Sequence, residues 1–210
     1  QAFDNLGIDQ VQFFAWYDDD WHYIDSDTDG SDGYQATWDA GGLSDRSGIW
    51  LDALILDRAD NRWDATVENL TLDRTSPIGS VSVNGGATYA VSTAVTLNLV
   101  GTDEIAGVER VMASNDADFS GATWVDYATS LDWTVAAGDG TKIVYVKFRD
   151  GADNVSSVYS DTIILDTTPP AGSIVIQEGA EVTSDTQVTL TLSASDTYGI
   201  THMRLRNDAA

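Results

Sequence analysis

The segment Leu70-Thr71-Leu72-Asp73-Arg74-Thr75-Ser76-Pro77 returns as Ile163-Ile164-Leu165-Asp166-Thr167-Thr168-Pro169-Pro170, and this recurrence constrains the fold more than any other feature of the sequence. Each copy reads as a strand running into an Asp-x-Thr-x-Pro linker. Other segments repeat with it: Ala59-Asp60-Asn61 returns as Ala152-Asp153-Asn154, and an Asp-x-x-Gly-Ile element at Asp4 to Ile8 returns at Asp196 to Ile200, with a looser copy from Asp103 to Val108. A period of ~90 to 100 residues filled with short alternating strands predicts a tandem array of β-sandwiches. The linkers place the domain boundaries at 1–75, 76–168 and 169–210.

Within the middle repeat, Val95, Leu97 and Leu99 alternate with Thr96 and Asn98, while Val144, Val146 and Phe148 alternate with Tyr145 and Lys147. The third repeat opens alike, with Val188, Leu190 and Leu192 against Thr189, Thr191 and Ser193. An apolar period of two marks half-buried antiparallel strands, and no segment carries a convincing helical period. The expected fold class is all-β: tandem immunoglobulin-like β-sandwiches, one complete domain flanked by two partial ones. In immunoglobulin lettering, residues 78–166 supply strands A to G, residues 1–73 only C to G, and residues 170–210 only A to C. On this reading the chain begins and ends within a domain, and the broken domains are completed by a longer chain or by a neighbour.

The run Ser114-Asn115-Asp116, Phe119-Ser120-Gly121, Trp124, Trp133, Gly138-Asp139-Gly140-Thr141-Lys142, Val144-Tyr145-Val146, Phe148-Arg149-Asp150 and Asp166-Thr167-Thr168-Pro169-Pro170 resembles the bacterial Ig-like repeats of large secreted and surface proteins. The first repeat resembles a sister type through Tyr17-Asp18, Trp21-His22, the stretch Asp25 to Tyr34, Trp38-Asp39 and Asp57-Arg58-Ala59. The resemblance implies an extracellular or cell-surface setting. It is specific for fold and poor for function, because such modules serve adhesins, surface filaments and accessory regions of secreted hydrolases alike. The chain departs from the family at Asp60 and Asp153, where the family often has glycine.

Charge narrows the partners. The formal net charge of −24 comes mostly from aspartate, which favours turns and cation sites where glutamate favours helices. So acidic a surface repels nucleic acid and anionic membranes and attracts divalent cations. Adaptation to high salt also produces acidic surfaces, although it raises glutamate along with aspartate. The chain has no cysteine, so packing and hard cations must supply its stability, and the redox compartment is left open. No stretch approaches ~18 uninterrupted apolar residues, so no membrane span is expected in this segment, and Gln1 does not begin a signal peptide.

A nucleophilic triad needs a base, and the histidines are His22 and His202, neither within a catalytic motif. No catalytic residue is assigned. Two calcium sites are candidates instead. In Asp25-Ser26-Asp27-Thr28-Asp29-Gly30, alternate carboxylates before a glycine turn match the first half of an EF-hand loop, but Ala36 stands where the bidentate glutamate belongs, and a solvated acidic turn is the competing reading. The second follows from topology: in an immunoglobulin sandwich the incoming linker lies beside the B–C and F–G loops. That gathers Asp73, Asp103 (with Glu104 beside it), Asp150 and Asp153, carboxylates that repel one another unless a cation such as Ca²⁺ lies between them.

Strand C of the first domain directs Val11, Phe13 and Ala15 to the core, as strand F does Leu51, Ala53 and Ile55. Phe14, Trp16, Trp50 and Leu54 then form an outer apolar patch, an interface or ligand platform unless a loop covers it. The leading expectation is a non-catalytic structural or adhesive array, stiffened by calcium, whose partners are other copies of itself or neighbouring Ig-like domains. The alternative is an accessory or carbohydrate-binding region of a secreted hydrolase, with the patch stacking on polysaccharide rings.

Overall fold

The computed structural model describes residues 7–206, so Asp4, at the head of the first Asp-x-x-Gly-Ile copy, and Asn207 lie outside the described residues. Among the described residues the secondary structure is strand apart from one short 3-10 turn, Gln177–Gly179.

The first region is a single antiparallel sheet built from β1 (Ile8–Tyr17), β2 (Asp20–Asp27), β3 (Arg46–Asp57) and β4 (Arg62–Leu72), in the order β2-β1-β3-β4. Asp18 and Asp19 join β1 to β2 with φ of 54° and 61°, the two left-handed residues that a tight hairpin with the native twist requires. In immunoglobulin lettering these strands are C, C′, F and G. Strand E of the expected C-to-G set is not formed: residues 28–45, which include Trp38, carry no strand. In the middle domain the equivalent strand pairs with strand B, and no strand B is present here among the described residues.

The middle region is a full two-layer sandwich. Its strands are β5 (Ile78–Val83), β6 (Tyr89–Ala90), β7 (Ala94–Thr102), β8 (Val108–Ser114), β9 (Val125–Asp126), β10 (Ser130–Thr134), β11 (Gly140–Asp150) and β12 (Tyr159–Leu165). One sheet runs β10-β7-β5 and the other β6-β12-β11-β8-β9, the E-B-A and A′-G-F-C-C′ orders of an immunoglobulin-like domain. Every pairing is antiparallel except β6 with β12, which is parallel and sets Tyr89 beside Ile164 and Ala90 beside Leu165.

The alternating residues of β7 and β11 meet across this sandwich. Val95, Leu97 and Leu99 pack against Val144, Val146 and Phe148, with Ile163, Leu165, Val111 and Val83 filling the remaining core. The Phe148 ring lies on a cross-strand pair of glycines, Gly79 and Gly101. A Cβ on Gly79 would fall 2.4 Å from that ring, so glycine here makes room for the aromatic.

The third region contributes one antiparallel pair, β13 (Ala171–Ile176) with β14 (Leu190–Ser195), the counterpart of β5 and β7. Strand C of the third repeat is not formed among the described residues 196–206. Its sheet neighbour in the middle domain is strand F, which has no counterpart here among the described residues.

Candidate functional site

Three of the carboxylates expected at the first junction converge. Asp150 closes β11 and is fully buried; its Oδ1 accepts the amides of Ala152 (2.9 Å) and Asn154 (2.8 Å), and its Oδ2 accepts Asn154 Nδ2 (2.9 Å). Asp103, in the loop after β7, accepts on Oδ1 the amides of Ile105 (3.1 Å), Ala106 (3.0 Å) and Gly107 (2.9 Å). Asp73, in the linker after β4, is also buried and accepts the amides of Thr75 and Ala106, each at 3.0 Å. The Ala106 amide is thus shared between Asp73 and Asp103. Ligand oxygens from all three residues lie within 4.8 Å of one another.

Amide donors satisfy lone pairs but carry no full charge. The ion pairs among the described residues, Arg46–Asp18, Arg74–Asp45, Arg110–Asp126 and Arg149–Asp153, do not include any of the three. Two like charges 4 Å apart repel by about 4 kcal/mol at an effective dielectric of 20, so each pair of ionised carboxylates in this cluster opposes folding. The donor set is all oxygen, the chemistry of a hard divalent cation and not of zinc or copper. The triad can therefore hold a metal ion.

Asp153 does not join the triad. It is exposed and ion-paired with Arg149 at 3.0 Å. Asp153 and its counterpart Asp60 have φ of 67° and 61°, left-handed positions that glycine adopts without strain. The whole F–G turn repeats in detail. In the first sheet Asp57 accepts the Ala59 amide (2.7 Å), the Asn61 amide (2.9 Å) and Asn61 Nδ2 (2.7 Å), as Asp150 does from Ala152 and Asn154. The Asn61 side chain, more than any other contact, holds the Asp57 carboxyl below the ordinary aspartate value. Glu104 is exposed, on a groove it shares with Asp45, Thr75, Ile78 and Asp103.

The acidic loop of the first region is organised differently from an EF-hand. Asp27 accepts the amides of Asp29 (2.8 Å) and Gln35 (3.0 Å), Asp29 accepts that of Ser31 (3.0 Å), and Asp25 that of Ser26 (2.8 Å). The Gln35 amide is the main reason that the Asp27 carboxyl titrates below its usual value. Among the described residues the only converging group of three ligand residues is Asp73, Asp103 and Asp150, so Asp25, Asp27 and Asp29 do not gather around a common point. The loop closes on its own amides, the outcome expected of a turn that lacks the distal glutamate.

The aromatic patch is present and larger than expected. Trp16 stands opposite Trp50 and meets Trp21 edge-on with centroids 5.4 Å apart; Phe14 meets Tyr23 in the same way at 5.6 Å. Trp21, Tyr23 and Trp50 are exposed, while Leu54 is half-buried. Tyr23 reaches this face because the tight hairpin pairs Trp16 with Trp21 and Tyr23 lies two residues on; the extra residue Ile24 comes only after it. On the other face Val11 and Ala15 are buried as expected, and Phe13, Leu51 and Ala53 line a hollow with Ala36 and Trp38 from the long loop. His22 stacks on Tyr17 at 3.8 Å, and exposed His202 touches the Thr201 hydroxyl.

No family profile matches the chain, and no curated protein sequence matches it. Among solved structures it is similar to the fibronectin(III)-like modules of Clostridium thermocellum CbhA, at 17% identity over 79% of this chain and 80% of that one, with a TM-score of 0.47. It is also similar to a tetra-tandem repeat from the extending region of a large adhesion protein, at 19% identity over 90% of this chain and 50% of that one, with a TM-score of 0.33. Strand order and register define the fold of this chain: all-β, with immunoglobulin-like units in tandem.

Proposed function

We propose that this chain is part of a non-catalytic structural or adhesive array of immunoglobulin-like modules, with boundaries at 1–75, 76–168 and 169–210, working outside the cell. We further propose that Ca²⁺ bound by Asp73, Asp103 and Asp150 stiffens the junction between the first two modules. The observation that carries this reading is the triad itself. A linker residue, a B–C loop residue and an F–G residue bring three carboxylates together with no Lys or Arg paired to them among the described residues. Calcium accepts six to eight oxygens, more than three carboxylates supply in most geometries, so water would complete the shell. Because one ligand comes from the linker and two from the sandwich, a bound ion ties the linker to the module that follows it.

The test is thermal unfolding and Ca²⁺ titration of the intact chain, with and without chelator. Saturation at a hundred times the dissociation constant raises the stability of the sandwich by about 2.7 kcal/mol. Asp150→Asn abolishes the gain, and an unchanged midpoint in chelator would overturn the assignment. The exposed Trp21, Tyr23 and Trp50 favour a second use of the first module, as a platform for stacking on the sugar rings of a polysaccharide. Pull-down with insoluble polysaccharides separates this use from contact between copies of the chain.

A further inference from the structure

Each linker is gripped by a carboxylate from the module it leaves. At the first linker, Asp45 accepts the Arg74 amide (3.0 Å), Arg74 Nε (2.9 Å) and the Thr75 hydroxyl (2.7 Å). At the second, Asp139 accepts the Thr167 amide (2.8 Å), the Thr167 hydroxyl (2.7 Å) and the Thr168 hydroxyl (2.5 Å). The two carboxylates occupy the same place in the fold, one residue before β3 and one residue before β11. They hold the same two linker positions, the residues that follow Asp73 and Asp166. The partners are 29 and 28 residues apart in sequence, so neither grip is a local turn.

We infer that Asp45 and Asp139 are clamps that set the orientation of each module relative to the next. An Asp-x-Thr-x-Pro linker with free φ and ψ angles would let successive modules swing. Fixing its second and third residues to the preceding sheet leaves little chain free before Pro77 or Pro169, whose φ is already locked. The linker aspartate turns the other way at the first junction, where Asp73 takes the Ala106 amide of the following sandwich. One linker therefore joins both modules at successive residues, backward through Asp45 and forward through Asp73. Arg74 adds a further tie to the first sheet through the Leu43 carbonyl.

The chain has no cysteine, so spin labels can be placed at will: Asp64 with Asp118 across the first junction, Asp118 with Ser193 across the second. Measured on the whole chain in chelator, so that the outcome does not depend on the calcium reading, Asp45→Ala broadens the first distance distribution and leaves the second unchanged. Asp139→Ala does the reverse. Thr75→Val and Thr168→Val attack the clamps from the linker side without touching either sheet, and each broadens its own junction. Unchanged distributions in the threonine variants, or equal broadening of both pairs by either aspartate variant, would overturn the inference.

Discussion

Strand β7 of the sandwich and the segment leading into β14 carry the same apolar alternation and meet different surroundings. Val95, Leu97 and Leu99 are 5%, 0% and 2% exposed, whereas Val188, Leu190 and Leu192 are 42%, 36% and 40% exposed. The strand chemistry does not account for the difference. β7 faces β11 and β12 across a closed core, while β14 pairs only with β13 among the described residues. A period of two specifies which face is apolar; an opposing sheet decides whether that face is buried. The first region repeats the point with four strands, where Trp63 and Val67 of β4 remain exposed without a second sheet over them.

The largest test of this contrast truncates equivalent apolar contacts in the two regions. Phe148→Ala removes a fully buried ring and costs about 3 to 5 kcal/mol in urea unfolding of the sandwich. Leu192→Ala in the exposed face shifts the same transition by no more than about 0.5 kcal/mol. A comparable loss at both sites would mean that the third hairpin's face is covered in solution. A finer test uses the glycines that open β5 and β13. A Cβ at Gly79 strikes the Phe148 ring and the Val100 carbonyl, both at 2.4 Å, so Gly79→Ala costs about 1 to 3 kcal/mol. Gly172 meets the Ser193 carbonyl at 2.9 Å and no ring, so Gly172→Ala has the smaller effect.

The smallest effect concerns acid. The Arg74 amide first, then the Thr75 hydroxyl and the Arg74 side chain, hold Asp45 at about 2 against an ordinary value of 3.8, and the Thr168 hydroxyl chiefly lowers Asp139, with Lys142 nearby. A depressed carboxyl stabilises above its ordinary value and loses that contribution as pH falls through its folded value. Both clamps therefore stay closed from neutral pH to about 4, and the Asp45 clamp opens toward pH 2. Asp103 and Glu104 share the groove with Asp45. Interdomain distances followed from pH 7 to 2 would register the opening. Broadening already at pH 5 would contradict it.

The architecture was legible because repetition is a long-range signal written in plain sequence. The linkers and the alternation of β7 and β11 locate the complete sandwich. The triad was legible because topology alone brings a linker, a B–C loop and an F–G loop together, which selects Asp73, Asp103 and Asp150. Asp153 was misplaced since counting carboxylates ignores backbone: a left-handed residue points its side chain out of the turn, toward Arg149 in this case. Strand E of the first repeat and, among the described residues, strand C of the third do not form for one reason, that a strand needs a neighbour and the pattern of a single segment does not say whether one exists. The clamps lie outside the sequence reading although a signal for them is present, an aspartate immediately before strand F in two successive repeats.

The parallel pairing of β6 with β12 bears on how the sandwich carries tension. The chain enters the module through β5 and β6 and leaves it through β12, so a pull on its two ends drags these neighbouring strands past each other along their length. The Thr88 carbonyl accepting the Ile164 amide (3.0 Å) and the Ala90 carbonyl accepting the Asp166 amide (2.9 Å) are then loaded together in shear, not peeled open one after another. A seam loaded in that way carries the load on both hydrogen bonds at once.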